Sequence, residues 1–228
     1  MHIPDGFLSG EVSAGTAVVA AGAVGIALHR AGSRLDDRLV PLLGVTGAFV
    51  FAAQMLNFPV AGGTSGHFLG AALATMLLGP WLACLVLAVV LATQSFVFAD
   101  GGVSALGANV VNMGVIGALV TGGLMLAARR VLPRRRGVLL AVAGAGAWLA
   151  VVAGAAGTAV CLAVSGTVAL GTVLPAMLAV HVAIGAGEAV ITVAALSALM
   201  ATRPDLIGAW APREPAPPRI VALPQEAW

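Results

Sequence analysis

Apolar residues fall in seven runs along the chain, separated by short polar or glycine-rich segments. Most of these runs approach the roughly 20 residues that an α-helix needs to cross a bilayer. The pattern predicts an all-α integral membrane protein with about seven transmembrane helices. Only Gly79-Pro80 separates the short third run from the fourth, and proline there favours a turn. The runs lie at 12–29, 40–57, 67–79, 81–98, 106–128, 138–164 and 172–200.

The composition agrees with a membrane protein. Hydrophobic residues make up 60% of the chain, charged residues only 9%, and the mean hydropathy is +1.05. A soluble domain carries about 25% charged residues. Cys84 and Cys161 lie inside apolar runs, so we interpret them as small core residues rather than a disulfide or metal ligands. The first residues are neither basic nor followed at once by an apolar stretch, so no cleaved signal peptide is expected.

The arginines predict the orientation in the membrane. All eleven cationic side chains are arginines, and such residues accumulate in cytoplasmic loops. With seven helices and the N-terminus outside, every arginine falls on the cytoplasmic side. The predicted outer segments then carry only Asp5, Glu11 and Asp100 as charges. We therefore expect one transmembrane substrate-binding domain at 1–208, with its C-terminus in the cytoplasm, and a proline-rich cytoplasmic tail at 209–228.

The chain begins Met1-His2, which can chelate a metal ion. The amine of Met1, the backbone nitrogen of His2 and its imidazole would form fused five- and six-membered rings. Such nitrogen donors suit Ni(II), Cu(II) or Co(II). A histidine at this position can also have no role, and the two residues alone leave that alternative open.

Polar side chains inside membrane helices are costly and usually mark a site or a bond between helices. Here they concentrate near the predicted outer ends. His67, at the start of the third predicted span, lies on the same side as Met1 and His2 and could supply a fourth nitrogen. Neighbouring polar side chains could orient these ligands or only join helices, and both interpretations stay open. These neighbours are Gln54, Asn57, Ser65, Gln94 and Asn109.

The last predicted helix carries His181 and Glu188 seven residues apart, which places them on one face. His181 is interpreted as a core histidine or a site residue. A buried glutamate needs a partner, such as the hydroxyl of Thr192 or a group on another helix. For Glu188 we expect a structural or coupling role rather than metal ligation.

Several segments of the chain resemble a known family over nearly its whole length. They are 1–9, 54–60, 63–67, 101–109, 112–113 and 181–188, and the first and third are highly specific. The resemblance is to the CbiM and NikM family, the substrate-capture (S) components of energy-coupling factor (ECF) transporters for cobalt and nickel. The proline-rich tail is the segment without a clear match.

This resemblance implies an ECF S-component fold with an extra N-terminal helix, in which segment 1–11 enters an outer cavity. It implies metal ligation by the amine of Met1, the backbone nitrogen and imidazole of His2, and the imidazole of His67. It also implies a membrane scaffold (CbiQ-like), a cytoplasmic ATPase (CbiO-like) and a small separate membrane subunit (CbiN-like). The location implied is the bacterial cytoplasmic (inner) membrane.

The chain contains no P-loop motif, so we expect it to have no means of hydrolysing ATP. As a subunit of a transporter, it is expected to have no enzyme activity of its own, no prosthetic group and no nucleic-acid partner. The expected cargo is Co(II) for cobalamin synthesis, with Ni(II) as the alternative. Four nitrogens in a plane favour Ni(II) or Cu(II) on affinity grounds, so the ligands alone do not decide. A proton-coupled secondary transporter using His181 and Glu188 is a second hypothesis, disfavoured by the lack of inverted repeats. An intramembrane zinc enzyme is a third, disfavoured by the lack of a His-Glu-x-x-His motif.

Overall fold

The computed structural model describes residues 1–32, 39–56, 58–60 and 64–209, with 58–60, 64 and 65 described by their backbone only. Within these ranges the chain forms seven longer helices, one short 3₁₀ helix at Pro204–Leu206 and one small hairpin of two antiparallel strands. The helices are α1 (Gly10–Gly32), α2 (Leu39–Gln54), α3 (Ala71–Leu78), α4 (Pro80–Phe98), α5 (Leu106–Val131), α6 (Arg136–Val164) and α7 (Leu170–Thr202), and the strands are β1 (Phe58–Val60) and β2 (Thr64–Gly66).

Five of these helices, α1 and α4 to α7, are long and apolar enough to cross a membrane. Helix α2 is a shorter apolar helix of 16 residues, and α3 has only 8. At about 1.5 Å per residue, α3 extends about 12 Å, well short of a hydrocarbon core of about 30 Å. The chain is therefore a multi-pass helical membrane protein. That all seven helices span the bilayer stays a prediction.

Helix α3 is enclosed by the rest of the bundle, and all eight of its residues are buried. Gly70 and Gly79 bound it, both with positive φ, at 78° and 83°. The predicted turn at Gly79-Pro80 is confirmed, because Pro80 is the first residue of α4. The prediction that His67 opens the third helix is wrong. The left-handed backbone of Gly70 stops the helix there, so His67 lies in the segment that leads into it.

One end of the bundle gathers the arginines of the described residues. The guanidinium of Arg30, near the end of α1, lies 5.6 Å from the ring of Trp81 at the start of α4. The N–H of Gly208 donates to the carbonyl of Leu77 at the end of α3 (3.0 Å). The guanidinium of Arg129 on α5 donates a hydrogen bond to the carbonyl of Ala209. Most of the tail predicted at 209–228, from residue 210 on, lies outside the described residues, and so do residues 33–38 of the arginine-bearing loop.

Two observations explain how the long helices pack. In α7 the buried residues recur every three or four positions, as expected for a single inward face, and this face includes His181, Glu188 and Thr192. In α5 the stretch Val110–Val115 is π-helical, and the amide of Asn112 within it lies 3.5 Å from the hydroxyl of Thr158 on α6.

Cys84 is buried, Cys161 is half-buried, and both are free thiols, in agreement with their interpretation as core residues.

Candidate metal site

The first three residues are inserted into the protein at the end opposite the arginines. Met1 and Ile3 are fully buried, and His2 is 4% exposed. The side-chain amide of Asn109 clamps the backbone of Ile3. Its oxygen accepts from the Ile3 N–H (2.9 Å) and its nitrogen donates to the Ile3 carbonyl (3.2 Å). The N–H of Gly102 donates to the same carbonyl (2.8 Å). The N-terminus is thereby fixed within the bundle.

The loop between α4 and α5 is shaped to receive this segment. A Cβ at Gly102 would lie 2.3 Å from the backbone nitrogen of Asp5, so only glycine allows the close approach. The Asp5 carboxylate accepts hydrogen bonds from the Ser104 hydroxyl, the Ser104 N–H (2.8 Å) and the Val103 N–H (3.2 Å). These bonds, led by that of the Ser104 hydroxyl, hold the pKa of Asp5 below its ordinary value. Gly6, with φ of 82°, then turns the chain toward α1.

The imidazole of His2 is held with one nitrogen free of hydrogen bonds. Its Nε2 lies 3.1 Å from the side-chain oxygen of Gln94, and an amide oxygen only accepts, so Nε2 carries the proton. The Nδ1 atom is buried without a hydrogen-bond partner, and Asp100 Oδ1 is 3.4 Å away. Burial and the neighbouring amino terminus lower the pKa of His2 to about 4. The ring is therefore neutral near pH 7, and Nδ1 offers a lone pair.

The imidazole of His67 is held with the opposite nitrogen free. Its Nδ1 lies 2.7 Å from the carbonyl oxygen of Phe68, and a carbonyl also only accepts, so here Nδ1 carries the proton. Its Nε2 is buried without a hydrogen-bond partner. Burial, followed by the charge of the amino terminus, holds the pKa of His67 well below its ordinary value. This second neutral ring lies 4.5 Å from that of His2 between centroids, with an interplanar angle of 27°.

These free nitrogens are the ones that a four-nitrogen site needs. A six-membered chelate ring through the backbone nitrogen of His2 closes only on Nδ1, because Nε2 is one atom farther along the ring. Two imidazoles on adjacent corners of a square plane, with bonds of about 2 Å, have centroids about 4.4 Å apart. Burial lowers the pKa of the Met1 amine to about 4, so this amine is also neutral near pH 7.

The structure places the other predicted site residues as follows. Gln94 and Asn109 contact His2 and Ile3, as described above. Gln54 is farther from the N-terminus and donates from Nε2 to the carbonyl of Leu69 (2.7 Å). Asn57 and the side chain of Ser65 lie outside the described residues. Among the described residues, no three side chains of His, Cys, Asp or Glu form a metal-binding group, and the predicted set needs only two histidine side chains.

The contacts of Asp5 and Glu188 were not predicted from the sequence. Glu188 on α7 binds backbone rather than Thr192, since its two oxygens accept from the N–H groups of Leu69 (2.6 Å) and Gly70 (2.7 Å). In the sequence, Glu188 stood out only as a carboxylate within an apolar helix, where burial of a charge has a high energetic cost. His181 is fully buried and its Nδ1 lies 2.8 Å from the carbonyl oxygen of its own helix at residue 177.

Known proteins of similar sequence are metal transporters. The family model described as "Cobalt uptake substrate-specific transmembrane region", CbiM, matches residues 2–206. The chain belongs to the CbiM family. It is 36% identical over 218 residues to the cobalt transport protein CbiM of Sorangium cellulosum, covering 91% of this chain and 94% of that protein. It is 33% identical over 239 residues to the fused nickel transport protein NikMN of Rhodobacter capsulatus, covering 96% of this chain and 66% of that protein.

A solved structure agrees with this assignment. The crystal structure of a truncated transition metal transporter superposes with a TM-score of 0.81 at 31% identity, covering 88% of this chain and 99% of that chain. The chain is thus a CbiM/NikM-type protein of cobalt or nickel transport rather than an enzyme. The resemblance inferred from the sequence is confirmed.

Proposed function

We propose that the chain captures a divalent transition-metal ion as the S component of an ATP-driven ECF importer, with the cargo bound by four nitrogens. The observation that supports this most is the buried amino terminus beside two imidazoles. Each of these rings has one nitrogen held by a hydrogen bond and the other buried without a hydrogen-bond partner. A hydrogen bond that fixes the distal ring nitrogen is the usual arrangement around metal-ligating histidines.

The proposed ligands are the amine of Met1, Nδ1 of His2, Nε2 of His67 and the backbone nitrogen of His2, which gives up its peptide proton to solvent when the metal binds. The three donors of Met1 and His2 occupy three corners of a square as one tridentate chelate. His67 takes the remaining corner, next to the imidazole of His2. Asp100, with its carboxylate 3.4 Å from His2 Nδ1, contributes a negative charge that offsets part of the cation's charge.

Co(II) is the proposed cargo, and Ni(II) is the second candidate. The family model that covers residues 2–206 is described by cobalt uptake, which supports cobalt. The planar nitrogen set supports nickel, because Ni(II) binds such donors more tightly. Metal analysis of purified protein offered both ions in equal amounts decides between them.

Transport needs partners under this proposal. We propose a CbiQ-like scaffold, a CbiO-like ATPase and a CbiN-like subunit, in the bacterial inner membrane, in support of cobalamin synthesis. The fused NikMN relative is longer than the region matched here, which covers 66% of it.

Reconstitution tests the energy source: liposomes with the whole complex should accumulate the metal with ATP, whereas the chain alone under a pH gradient should not. Uptake by the chain alone that depends on Glu188 would instead support a secondary transporter.

The ligand set is tested by changing the N-terminus. One glycine added before Met1 moves the amine away and puts an amide in its place, so high-affinity binding of Co(II) and Ni(II) should be lost. His2→Ala and His67→Ala should each lose most of the affinity. Binding is measured by isothermal titration on protein tagged at the C-terminus, with the first residues confirmed by mass spectrometry.

His29→Ala is the matched control, because His29 is an exposed histidine near the far end of α1. This variant should bind metal as the unchanged protein does. Native affinity in the glycine-extended protein would show that the amine is not a ligand.

A further inference from the structure

The segment that carries His67 is held by two buried polar side chains from different helices. Glu188 of α7 accepts the N–H groups of Leu69 and Gly70 at 2.6 and 2.7 Å. Gln54 of α2 donates to the carbonyl of Leu69 at 2.7 Å. Glu188 is 2% exposed and Gln54 fully buried. Glu188 therefore holds the Phe68–Leu69 and Leu69–Gly70 peptide groups, and Gln54 also holds the second of these.

One of these peptide groups also contacts the imidazole. The carbonyl oxygen of the Phe68–Leu69 peptide accepts a hydrogen bond from Nδ1–H of His67, with 2.7 Å between the oxygen and Nδ1. The N–H of the same peptide donates to Glu188. A continuous chain of hydrogen bonds thus runs from the carboxylate through the peptide to the ring. Hydrogen bonds in such a chain polarise and strengthen one another.

We propose that Glu188 is a positioning residue of the metal site, acting on His67 through the Phe68–Leu69 peptide group. Many metal-ligating histidines donate their second ring N–H directly to a carboxylate. Here the Phe68–Leu69 peptide group lies between the His67 ring and the carboxylate of Glu188. The carboxylate keeps Nδ1 protonated, aims Nε2 at the N-terminal donors and makes that nitrogen a stronger ligand. This inference rests on the proposed function, because it assigns His67 as a ligand.

The second peptide group explains why a glutamate suits this position. Both oxygens of a carboxylate accept, so Glu188 can bind two successive N–H groups. Gly70 precedes the first residue of α3, where backbone N–H groups lack partners within the helix. A glutamine there would retain one accepting oxygen but place an N–H₂ group against the other N–H.

The test compares Glu188→Gln and Glu188→Ala with the unchanged protein. Because loss of an outer partner of a metal ligand typically lowers affinity by 10 to 100-fold, we expect a loss of about that size for alanine and a smaller one for glutamine. The visible absorption spectrum of bound Ni(II) or Co(II) should shift toward that of His67→Ala, since both changes weaken the same bond. Thr192→Val, a buried polar residue one turn farther along the same inward face, is the control and should leave affinity and spectrum unchanged.

A double-mutant cycle separates positioning from a merely structural role. If Glu188 acts through His67, the double variant Glu188→Ala/His67→Ala should bind metal no more weakly than His67→Ala alone. Additive losses, or an unchanged spectrum in both Glu188 variants, would overturn the inference. Unchanged binding in His67→Ala would instead refute the proposed ligand set, so the two failures are distinguishable. Melting of the metal-free proteins identifies any variant that fails to fold, and Glu188→Gln then carries the test.

Discussion

At the scale of single residues, the two imidazoles offer different nitrogens because different acceptors hold them. The side-chain oxygen of Gln94 accepts a hydrogen bond from Nε2–H of His2, and the backbone carbonyl of Phe68 accepts one from Nδ1–H of His67. A chelate that includes the backbone nitrogen of His2 requires Nδ1 of that residue. Gln94 therefore selects the tautomer that the proposed chelate needs.

Replacing Gln94 by methionine tests this role. Methionine has a similar size, but its thioether sulfur is only a weak acceptor for a hydrogen bond from Nε2–H, so the His2 ring is no longer held in one tautomer and orientation. We expect metal affinity to fall by about tenfold, at the low end of the range for outer partners of metal ligands. Isothermal titration with the cargo metal measures the change.

Thr93→Val is the matched control for Gln94→Met. Thr93 neighbours Gln94 on α4, but its hydroxyl is exposed and bonds the carbonyl of Val89 within the same helix. Its replacement should leave metal affinity unchanged. Equal affinities in all three proteins would mean that Gln94 does not orient a ligand.

At the scale of elements, the N-terminal segment acts as an additional structural unit of the fold. It has no regular secondary structure over residues 1–4, yet it docks against the start of α5 and the loop before it. Its position depends on backbone contacts of Ile3 and on the carboxylate of Asp5. The loop must therefore leave space for a second backbone.

Gly102→Ala removes that space. The new Cβ would meet the Asp5 nitrogen at 2.3 Å and the carbonyl carbon of Pro4 at 2.6 Å, both of them backbone atoms that cannot rotate away. We expect the segment to be displaced and high-affinity metal binding to be lost, while the helical bundle still forms. Titration and circular dichroism measure the two effects separately.

Gly123→Ala is the matched control for the glycine, because a Cβ there meets nothing within 4 Å. It should retain metal binding and helical content. Normal binding in Gly102→Ala would contradict the docking of residues 3–5 against this loop.

At the scale of the whole molecule, the two ends of the bundle differ in charge. The arginines of the described residues gather at one end, and Asp5 and Asp100 lie at the other beside the N-terminus. By the preference of cationic residues for the cytoplasm, we expect the proposed metal site to face outward.

Cysteine labelling in cells tests this orientation. In a background with Cys84 and Cys161 replaced by alanine, Val103→Cys should react with a membrane-impermeant maleimide in intact cells, because Val103 is 48% exposed and close to the proposed metal site. Arg134→Cys, in the exposed loop between α5 and α6, should react only after the membrane is opened. The reverse pattern would show that the protein is inserted the other way round.

How much the sequence could predict follows from the range of each interaction. The apolar runs predicted the positions of the helices, because burial in lipid is read from consecutive residues. Proline predicted the boundary between α3 and α4, because its missing N–H acts locally. The sequence placed the start of α3 too early. The helix begins only after Gly70, whose left-handed backbone is not visible in the apolar pattern. A Cβ there would lie 2.7 Å from a side-chain carbon of Val50 on another helix.

The sequence by itself determined a multi-pass helical membrane protein, the segregation of arginines and the candidate donors Met1, His2 and His67, since composition, periodicity and motifs are properties of the chain. Only the tertiary structure decided which donors come together, which nitrogen of each histidine is free and what Glu188 binds. Apart from the bond between His67 and the adjacent Phe68 carbonyl, those outcomes depend on hydrogen bonds between residues about 90 to 120 positions apart. A linear pattern cannot specify such contacts, because each is made only after the helices have packed.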